Sequence, residues 1–367
     1  MTGTLQTWAC LAVGVLALGG CGLQNAIDAT APTAQVAALA VDDLCYSVEN
    51  LGPVYFEGFG LQALGINAPG TVAGTTLRWT GDRTGFIYRN GTLTRLGDLG
   101  GGLSDARAVN ASGYAVGGSR DAAGNYRAVS FYKGEVTDLG TLDGTHSWSM
   151  DVNNSGVAVG DAMVSGRYHA AAFFMGHVID LGTLGGDTFA NGVNDAGDVV
   201  GSGQLEDGSW RGFLWRQGKM EVIGTIGGAE GSVDVAKINN RGTACGSANA
   251  LNAYHGFLYR DGETIELGDL GSSAAGYGVS GCQDISETGM AVGWAADADY
   301  WDRAVVWTNP PHGLVDLNTR IPPEAGAYLF LASGVNSAGQ ITAYGVNTVT
   351  WDPVEGYLLS PTRCPPG

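Results

Sequence analysis

Short apolar segments separated by glycine-containing turns follow one another along most of the chain. No long stretch places apolar residues at the period of about 3.6 that marks an amphipathic helix, so the pattern favours strands. In one stretch, the apolar pair Ala108-Val109 precedes a tight Asn-x-x-Gly turn, and a second short strand follows at Ala115-Val116. A variable loop, an aromatic strand and a strand from Glu135 to Leu139 come next. The pattern predicts an all-β chain made of four-stranded units.

This unit recurs seven times, with 41 to 50 residues between copies. Its first block is Asn-x-x-Gly-x-x-x-Gly, in which Asn bonds its own backbone and Gly supplies a positive φ for the turn. The copies begin at Asn67, Asn110, Asn153, Asn194, Asn239, Ser286 and Asn336. Four short antiparallel strands in a repeat of this length are typical of a propeller blade. We therefore expect a β-propeller of seven four-stranded blades over residues 44–364.

Two further blocks follow the first one in each copy. One supplies a strand with an aromatic residue, from Tyr88 in the first copy to Trp351 in a degenerate seventh, which we expect to pack between blades. The other is Asp-Leu-Gly-Thr-Leu-Gly-Gly, as in Asp180–Gly186. The order Ile/Val-Asn-x-x-Gly, His/Arg-Ala/Gly-Phe, Asp-Leu-Gly-Thr-Leu-Gly-Gly resembles the bacterial extracellular HAF repeat, over about residues 46–359. The resemblance implies an exported or surface protein and leaves its biochemical function undefined.

Two segments compete to be the outermost strand that closes the ring. Tyr46–Gly52 precedes any first strand, and Gly356–Leu359 lies where the seventh copy would need its fourth strand. A propeller ring closes when the N-terminal segment completes the last blade. One of the two segments must therefore be displaced or extra.

Four cysteines lie beyond the N-terminal region, and they allow three disulfide pairings. Cys45 and Cys364 lie just outside the two competing segments, so a bond between them would lock the ring. Cys245 and Cys282 lie in successive repeats and would form the second bond. No Cys or His spacing suggests zinc, and the sequence predicts no metal site and no cofactor.

The N-terminus has the features of an export signal. Residues 10–20 are apolar and too short to span a bilayer, and they end in Leu18-Gly19-Gly20-Cys21, which resembles a bacterial lipobox. This predicts a signal peptide at 1–20, lipidation of Cys21, and a flexible tether rich in Ala and Thr at 21–43. A membrane-anchored protein of the cell envelope follows, and Gly22 favours the outer membrane. Because residues 1–8 lack Lys and Arg, an ordinary signal peptide or a misassigned start stays open.

The net charge of the chain limits the kinds of molecule that it is expected to bind. The chain carries a net charge of −18, with a pI near 4.4, so it would repel a phosphate backbone and is not expected to bind nucleic acid. Glycine is abundant, at 61 residues without a period of three, as expected for a chain with many turns.

The candidate ligand residues are aromatic–basic pairs at the ends of the variable loops. Because they recur near the repeat length, they would form a ring on one face, suited to a sugar or a peptide. They are Tyr126, Arg127, Tyr168, His169, Trp210, Arg211, Tyr254, His255, Trp301 and Arg303. The alternative is structural, with each base pairing a carboxylate of the third block within its own blade: Asp138, Asp180 or Glu266.

Functional signatures are few. The sequence has no Gly-x-Ser-x-Gly, no His-Glu-x-x-His and no phosphate loop. The leading hypothesis is a non-enzymatic surface binding module whose ligand is a glycan or a protein. The alternatives are a propeller enzyme acting on glycans, which requires carboxylates with shifted pKa values at the central pocket, and a structural envelope protein without a dedicated ligand.

Overall fold

The structure is a computed structural model that describes residues 43–52, 58–78, 82–226, 231–250, 253–271, 279–349 and 354–365. The predicted signal peptide, the lipidation site Cys21 and nearly all of the predicted tether lie outside these residues. Regular structure in the described part is almost entirely β, with 28 strands and two short 3-10 helices, Leu317–Thr319 and Pro323–Ala325. Nowhere in that part is there a helix with the length and apolar character that crossing a membrane requires.

The strands form seven four-stranded antiparallel blades, as predicted. Blades 1 to 3 contain β2 (Gly58–Ile66), β3 (Val72–Arg78), β4 (Arg83–Arg89), β5 (Thr92–Arg95), β6 (Gly100–Val109), β7 (Ala115–Asp121), β8 (Tyr126–Tyr132), β9 (Glu135–Gly140), β10 (Ser147–Val152), β11 (Ala158–Val164), β12 (Arg167–Phe174) and β13 (His177–Gly182). Blades 4 to 6 contain β14 (Gly185–Val193), β15 (Val199–Leu205), β16 (Trp210–Arg216), β17 (Lys219–Ile223), β18 (Val233–Ile238), β19 (Ala244–Ala250), β20 (Ala253–Arg260), β21 (Glu263–Glu266), β22 (Ser280–Ile285), β23 (Ala291–Ala296), β24 (Asp302–Asn309) and β25 (His312–Asp316). Blade 7 contains β26 (Ala327–Val335), β27 (Ile341–Asn347), β28 (Val354–Arg363) and β1 (Leu44–Asn50).

The seventh blade shows how the ring closes. The N-terminal strand β1 pairs antiparallel with β28, from Leu44 opposite Arg363 to Asn50 opposite Tyr357, and is the fourth strand of the blade. The segment Gly356–Leu359 is therefore the third strand and not a competing fourth one. The strand register identifies it. Ala343, which replaces the second Gly of the motif, pairs with Tyr357, and the corresponding Gly201 of blade 4 pairs with Phe213 on a third strand. Trp351, predicted as the aromatic residue of this strand, lies outside the described residues.

The cysteine predictions divide into one that is confirmed and one that is wrong. Cys45 and Cys364 form a disulfide across the two strands that close the ring, 319 residues apart in the chain. Cys245 and Cys282 meet in the apolar cluster of blades 5 and 6, but both are free thiols. Burial and the contact with Cys282 raise the pKa of Cys245 well above its ordinary value, so this thiol stays protonated and unreactive.

The repeat Asn joins each blade to the next. Its Oδ1 accepts the N–H four residues further on, which fixes the turn between the first and second strands. Its Nδ2 donates, at 2.8–3.3 Å, to the main-chain oxygen of the corresponding residue in the following blade. The bond from blade 6 to blade 7 is missing in the described contacts, because Ser286 has no amide and its hydroxyl stays within its own turn.

The second Gly of the motif serves a close approach of backbones. A Cβ on Gly117 would lie 1.9 Å from the carbonyl oxygen of Asp105 on the neighbouring strand, so no side chain fits. In the seventh copy Ala343 replaces this Gly, and β26 carries an additional bulge before Leu331. The close approach moves to Gly345, whose Cβ would lie 2.0 Å from the oxygen of Tyr328.

The core lies between blades and not within them. Val200 and Leu214 of blade 4, for example, pack against Val233 and Val235 of blade 5. The fully buried aromatic residues on third strands include Phe86, Phe173, Phe213, Phe257, Trp307 and Tyr357. Each blade thus buries its sides against two neighbours, which leaves the two ends of the ring free for function.

Candidate functional site

The ring has two faces. We call the one with the loops between second and third strands the loop face, and the opposite one, with the turns after first and third strands, the turn face. Every predicted ligand residue lies at or next to the start of a third strand, as Tyr126 does in β8 and Trp210 does in β16. All of them therefore belong to the loop face.

Part of the predicted ring is a continuous row of aromatic side chains, which we call the aromatic ladder. It crosses blades 2 to 4, and neighbouring ring centroids are 5.1–6.0 Å apart. Its members are Trp148, Tyr126, His146, Tyr168, Phe189 and Trp210. Trp210, at the end, is 38% exposed, and the other rings are partly buried. Arg120 extends the row, with its guanidinium 5.0 Å from the ring centroid of Tyr126.

Three ladder members were not predicted from the sequence. Tyr126, Tyr168 and Trp210 were, but His146, Trp148 and Phe189 come from or precede the first strand of the following blade. They lie between the predicted rings because the first strand of one blade covers the second strand of the blade before it. The Trp148 ring, for instance, lies directly against Gly118.

The other predicted aromatic residues stand apart from the ladder. Tyr254 is 49% exposed and Trp301 is 64% exposed, and neither has a ring contact in the described part of the chain. The structure thus brings together the residues predicted in blades 2 to 4 but does not form an aromatic ring around the whole face.

The predicted basic residues are mostly held within their own blades. Three of them bind the carboxylate of the third block, as the structural alternative to a ligand role expected. The pairs are Arg127 with Asp138 at 2.9 Å, His169 with Asp180 at 3.0 Å, and His255 with Glu266 at 2.8 Å. Arg303 pairs with Asp297 at 2.8 Å, and Arg211 donates to the carbonyl oxygens of Trp210 and Gly231. The aromatic side chains are therefore the groups of this face that are most available to a ligand.

A buried carboxyl group lies beside the ladder. Asp161, on β11, has 9% of its side chain exposed, and its Oδ2 is 3.7 Å from His146 Nε2. Burial raises the pKa of Asp161 to about 7 and lowers the pKa of His146. Asp161 and Asp187 also contribute to the raised pKa of Tyr168, after burial.

A second candidate site lies at the axis and opens on the turn face. It is a pocket of about 190 Å³ lined by the ends of all seven first strands. Two residues before the repeat Asn, three blades carry Asp151, Lys237 and Asp284, whereas the other four carry Gly65, Ala108, Gly192 and Gly334. Lys237 Nζ lies 2.7 Å from Asp151 Oδ1. Burial, partly offset by Lys237, raises the pKa of Asp284 to about 6.

Charged side chains also lie at the mouth of this pocket. Asp195 accepts bonds from Asn154 and Asn240, and the N–H of Asn240 donates to Glu287 at 2.9 Å. Burial raises the pKa of Glu287. The glycan-enzyme alternative required carboxylates with shifted pKa values at the centre, so this pocket keeps that alternative open. No three His, Cys, Asp or Glu side chains group as a metal site within the residues that the structure describes.

Similarity to one solved structure supports the fold. No protein-family model matches the chain, and no curated protein matches it. Among solved structures, a puromycin-hydrolysing peptidase from Mycobacterium tuberculosis is similar with a TM-score of 0.50 and 14% identity, covering 84% of this chain and 55% of the peptidase. A putative TolB from Agrobacterium tumefaciens has a TM-score of 0.44 and 11% identity, covering 88% of this chain and 99% of its own. TolB from Acinetobacter baumannii has a TM-score of 0.40 and 10% identity, covering 94% and 86%.

The chain therefore spans about half the length of the peptidase that it resembles. An identity of 14% speaks only for architecture and carries no activity over to this protein. Together with the seven antiparallel blades and the ring closed by β1, this similarity leads to one conclusion: the chain is a β-propeller.

Proposed function

We propose that this protein is an exported, lipid-anchored module that binds a glycan on its loop face. The aromatic ladder is the observation that carries the proposal. A row of partly exposed rings offers apolar faces to the C–H faces of successive sugar units, and its polar edges supply hydrogen bonds. A scaffold that had no ligand would gain stability by burying these rings.

The rest of the chain fits such a role. The four paired bases of the loop face are bound to carboxylates of their own blades, so they do not form a free basic patch for a nucleic acid. The net charge of −18 also disfavours strongly anionic ligands. The lipobox-like Leu18–Cys21 and the tether after it would hold the propeller at a membrane. Replacing Cys21 by Ser should release the protein from the membrane fraction.

A glycan array probed with the chain from residue 22 onward tests the binding. We expect Trp210→Ala to weaken binding at least tenfold, because it removes the most exposed ring of the ladder. Trp301→Ala alone should have a smaller effect. Tyr132→Ala is the matched control, since Tyr132 is 40% exposed but begins the turn between third and fourth strands on the opposite face. Binding that survives in the Trp210→Ala/Trp301→Ala variant would refute this face as the site.

The second candidate function is an enzyme acting on glycans, and the observation in its favour is the axial pocket. Asp284, with its pKa raised to about 6, has a proton affinity suited to general acid–base chemistry near neutral pH. Incubating glycans with the wild type and Asp284→Asn, and analysing them for shortened products, tests it. Products formed by the wild type and lost in the variant would favour the enzyme over the binding module.

A further inference from the structure

Asp161 departs from the repeat at the edge of the aromatic ladder. It stands directly after the second Gly of the motif, and the other copies place Thr75, Gly118, Ser202, Ser247, Trp294 and Tyr344 there. Only blade 3 has a carboxyl group at this position, and the residue is 6% exposed. No described residue donates a hydrogen bond to its side chain, and the one ion-pair contact described for it is with His146 Nε2 at 3.7 Å.

The scaffold gives no reason for a carboxyl group here. A buried polar group without a partner destabilises the fold, and native proteins rarely retain one. The corresponding Ser202 in blade 4 forms a hydrogen bond to Asp234 of the next blade, so a short hydroxyl satisfies this position. A carboxyl group that the fold neither needs nor satisfies indicates a partner that is not part of the chain.

The surroundings of Asp161 favour a positively charged partner. Asp187 lies on the same side and accepts the N–H of Tyr168. The nearby cations are engaged elsewhere, since Arg127 binds Asp138 and Arg167 donates to the carbonyl oxygen of Gly185. Burial lowers the pKa of the neighbouring His146, which disfavours its charged form. Arg120, the cation of the ladder, donates to the hydroxyl group of Tyr126, so none of the described contacts gives Asp161 a permanently charged partner.

We propose that Asp161 binds the ammonium group of an amino sugar, and that the glycan on the loop face is therefore one with free amino groups. This inference rests on the proposed function, because the ladder must first bind the sugar rings. Phe189 has the position in blade 4 that Trp148 has in blade 3, and Asp161 corresponds to Gly118, against which the Trp148 ring lies. The Asp161 carboxyl group therefore lies at the edge of the rings that hold the sugar. The Asp161 side chain is only 9% exposed, which favours a small group, and an ammonium supplies both the charge and the donors that Asp161 lacks.

The test compares two matched probes, a glucosamine oligosaccharide and its fully N-acetylated counterpart, by isothermal titration calorimetry at pH 7, because the amino groups of glucosamine lose their protons at more alkaline pH. We expect the wild type to bind the amino form at least tenfold more tightly. Asp161→Asn and Asp161→Ser should reduce that preference to twofold or less, and the Ser variant carries the side chain that blade 4 already uses. Asp207→Asn, which removes an exposed carboxylate from the loop beside Trp210, should keep the preference.

Each other outcome has a definite meaning. Equal affinity for the two probes, or a preference that survives in both Asp161 variants, would overturn the inference. A preference lost equally in Asp207→Asn would also overturn it, because it would show general attraction to an acidic protein. If another glycan binds and depends on Trp210 while the amino form does not bind, the proposed function stands and this inference fails. If no glycan depends on Trp210, both fail.

Discussion

Replacing Asp161 by Asn should stabilise the protein at alkaline pH. In the folded chain burial raises the pKa of Asp161 from 3.8 to about 7, so the folded state holds this proton more tightly than the unfolded state does. The stability gained from protonation is fully present below pH 3.8 and is lost as the pH rises through about 7. At about 1.4 kcal/mol per pH unit, the penalty above pH 7 is on the order of 4 kcal/mol. Asn has nearly the same shape and no charge, so it escapes this penalty.

Urea unfolding at two pH values, followed by tryptophan fluorescence, measures the effect. Between pH 5 and pH 8 we expect the advantage of Asp161→Asn over the wild type to grow by about 2.5 kcal/mol, from the same linkage. Asp207→Asn is the control of opposite sign, because hydrogen bonds from Ser209 lower the pKa of Asp207 and the carboxylate form stabilises its turn. An advantage that does not change between pH 5 and pH 8 would show that Asp161 is not a strained buried acid.

Three further changes test the ring itself. Reducing the Cys45–Cys364 disulfide, which closes 319 residues, should cost about 5 kcal/mol by loop entropy and lower the Tm, and an unchanged Tm would contradict its role as the lock. Ser286→Asn should supply the amide that is missing between blades 6 and 7 and raise the free energy of unfolding by about 1 kcal/mol, measured by thermal unfolding. A lower Tm would show that this junction cannot accept the additional hydrogen bond. Lys237→Met should cost about 3 kcal/mol at pH 8 by leaving Asp151 without its counter-charge, and adding Asp151→Asn should recover most of this loss. If the double variant is no more stable than the single one, the pair is not coupled.

Most of the fold could be predicted from the sequence because the same turn and strands recur in every copy of the repeat. The Asn-x-x-Gly turn recurs at a fixed distance from the strands on either side, so blade number and strand order follow from counting. The Cys45–Cys364 bond was also predictable, because the two cysteines flank the ends of the ring. The error in blade 7 has a physical cause: Gly356–Leu359 is apolar enough for either of two strands, and only its pairing with β27 decides between them.

The sites were harder to predict, since each depends on how one blade faces the next. Tyr126 and Trp210 were found from their loops, but Trp148 and Phe189 look like ordinary strand residues until the register between blades is known. Asp161 was missed because a lone Asp in a strand carries no motif. Its signal was available only by aligning the copies and asking which one departs from the others.

Aligning the copies of the repeat also identifies the charged residues of the axial pocket. It suggests which positions of this scaffold serve stability and which serve function. Positions that bind blade to blade, such as the repeat Asn, keep their residue type in nearly every copy, because each junction has the same geometry. Asp161 is the one acidic side chain at its position in the repeat, and at the position of Asp284 only blade 3, with Asp151, has another acid. Burial raises the pKa of both Asp161 and Asp284. A symmetric ring gains nothing from buried acids in one or two blades only. Residues that break the repeat at a cost to stability are therefore the ones that a ligand must explain, and in this propeller they lie on opposite faces.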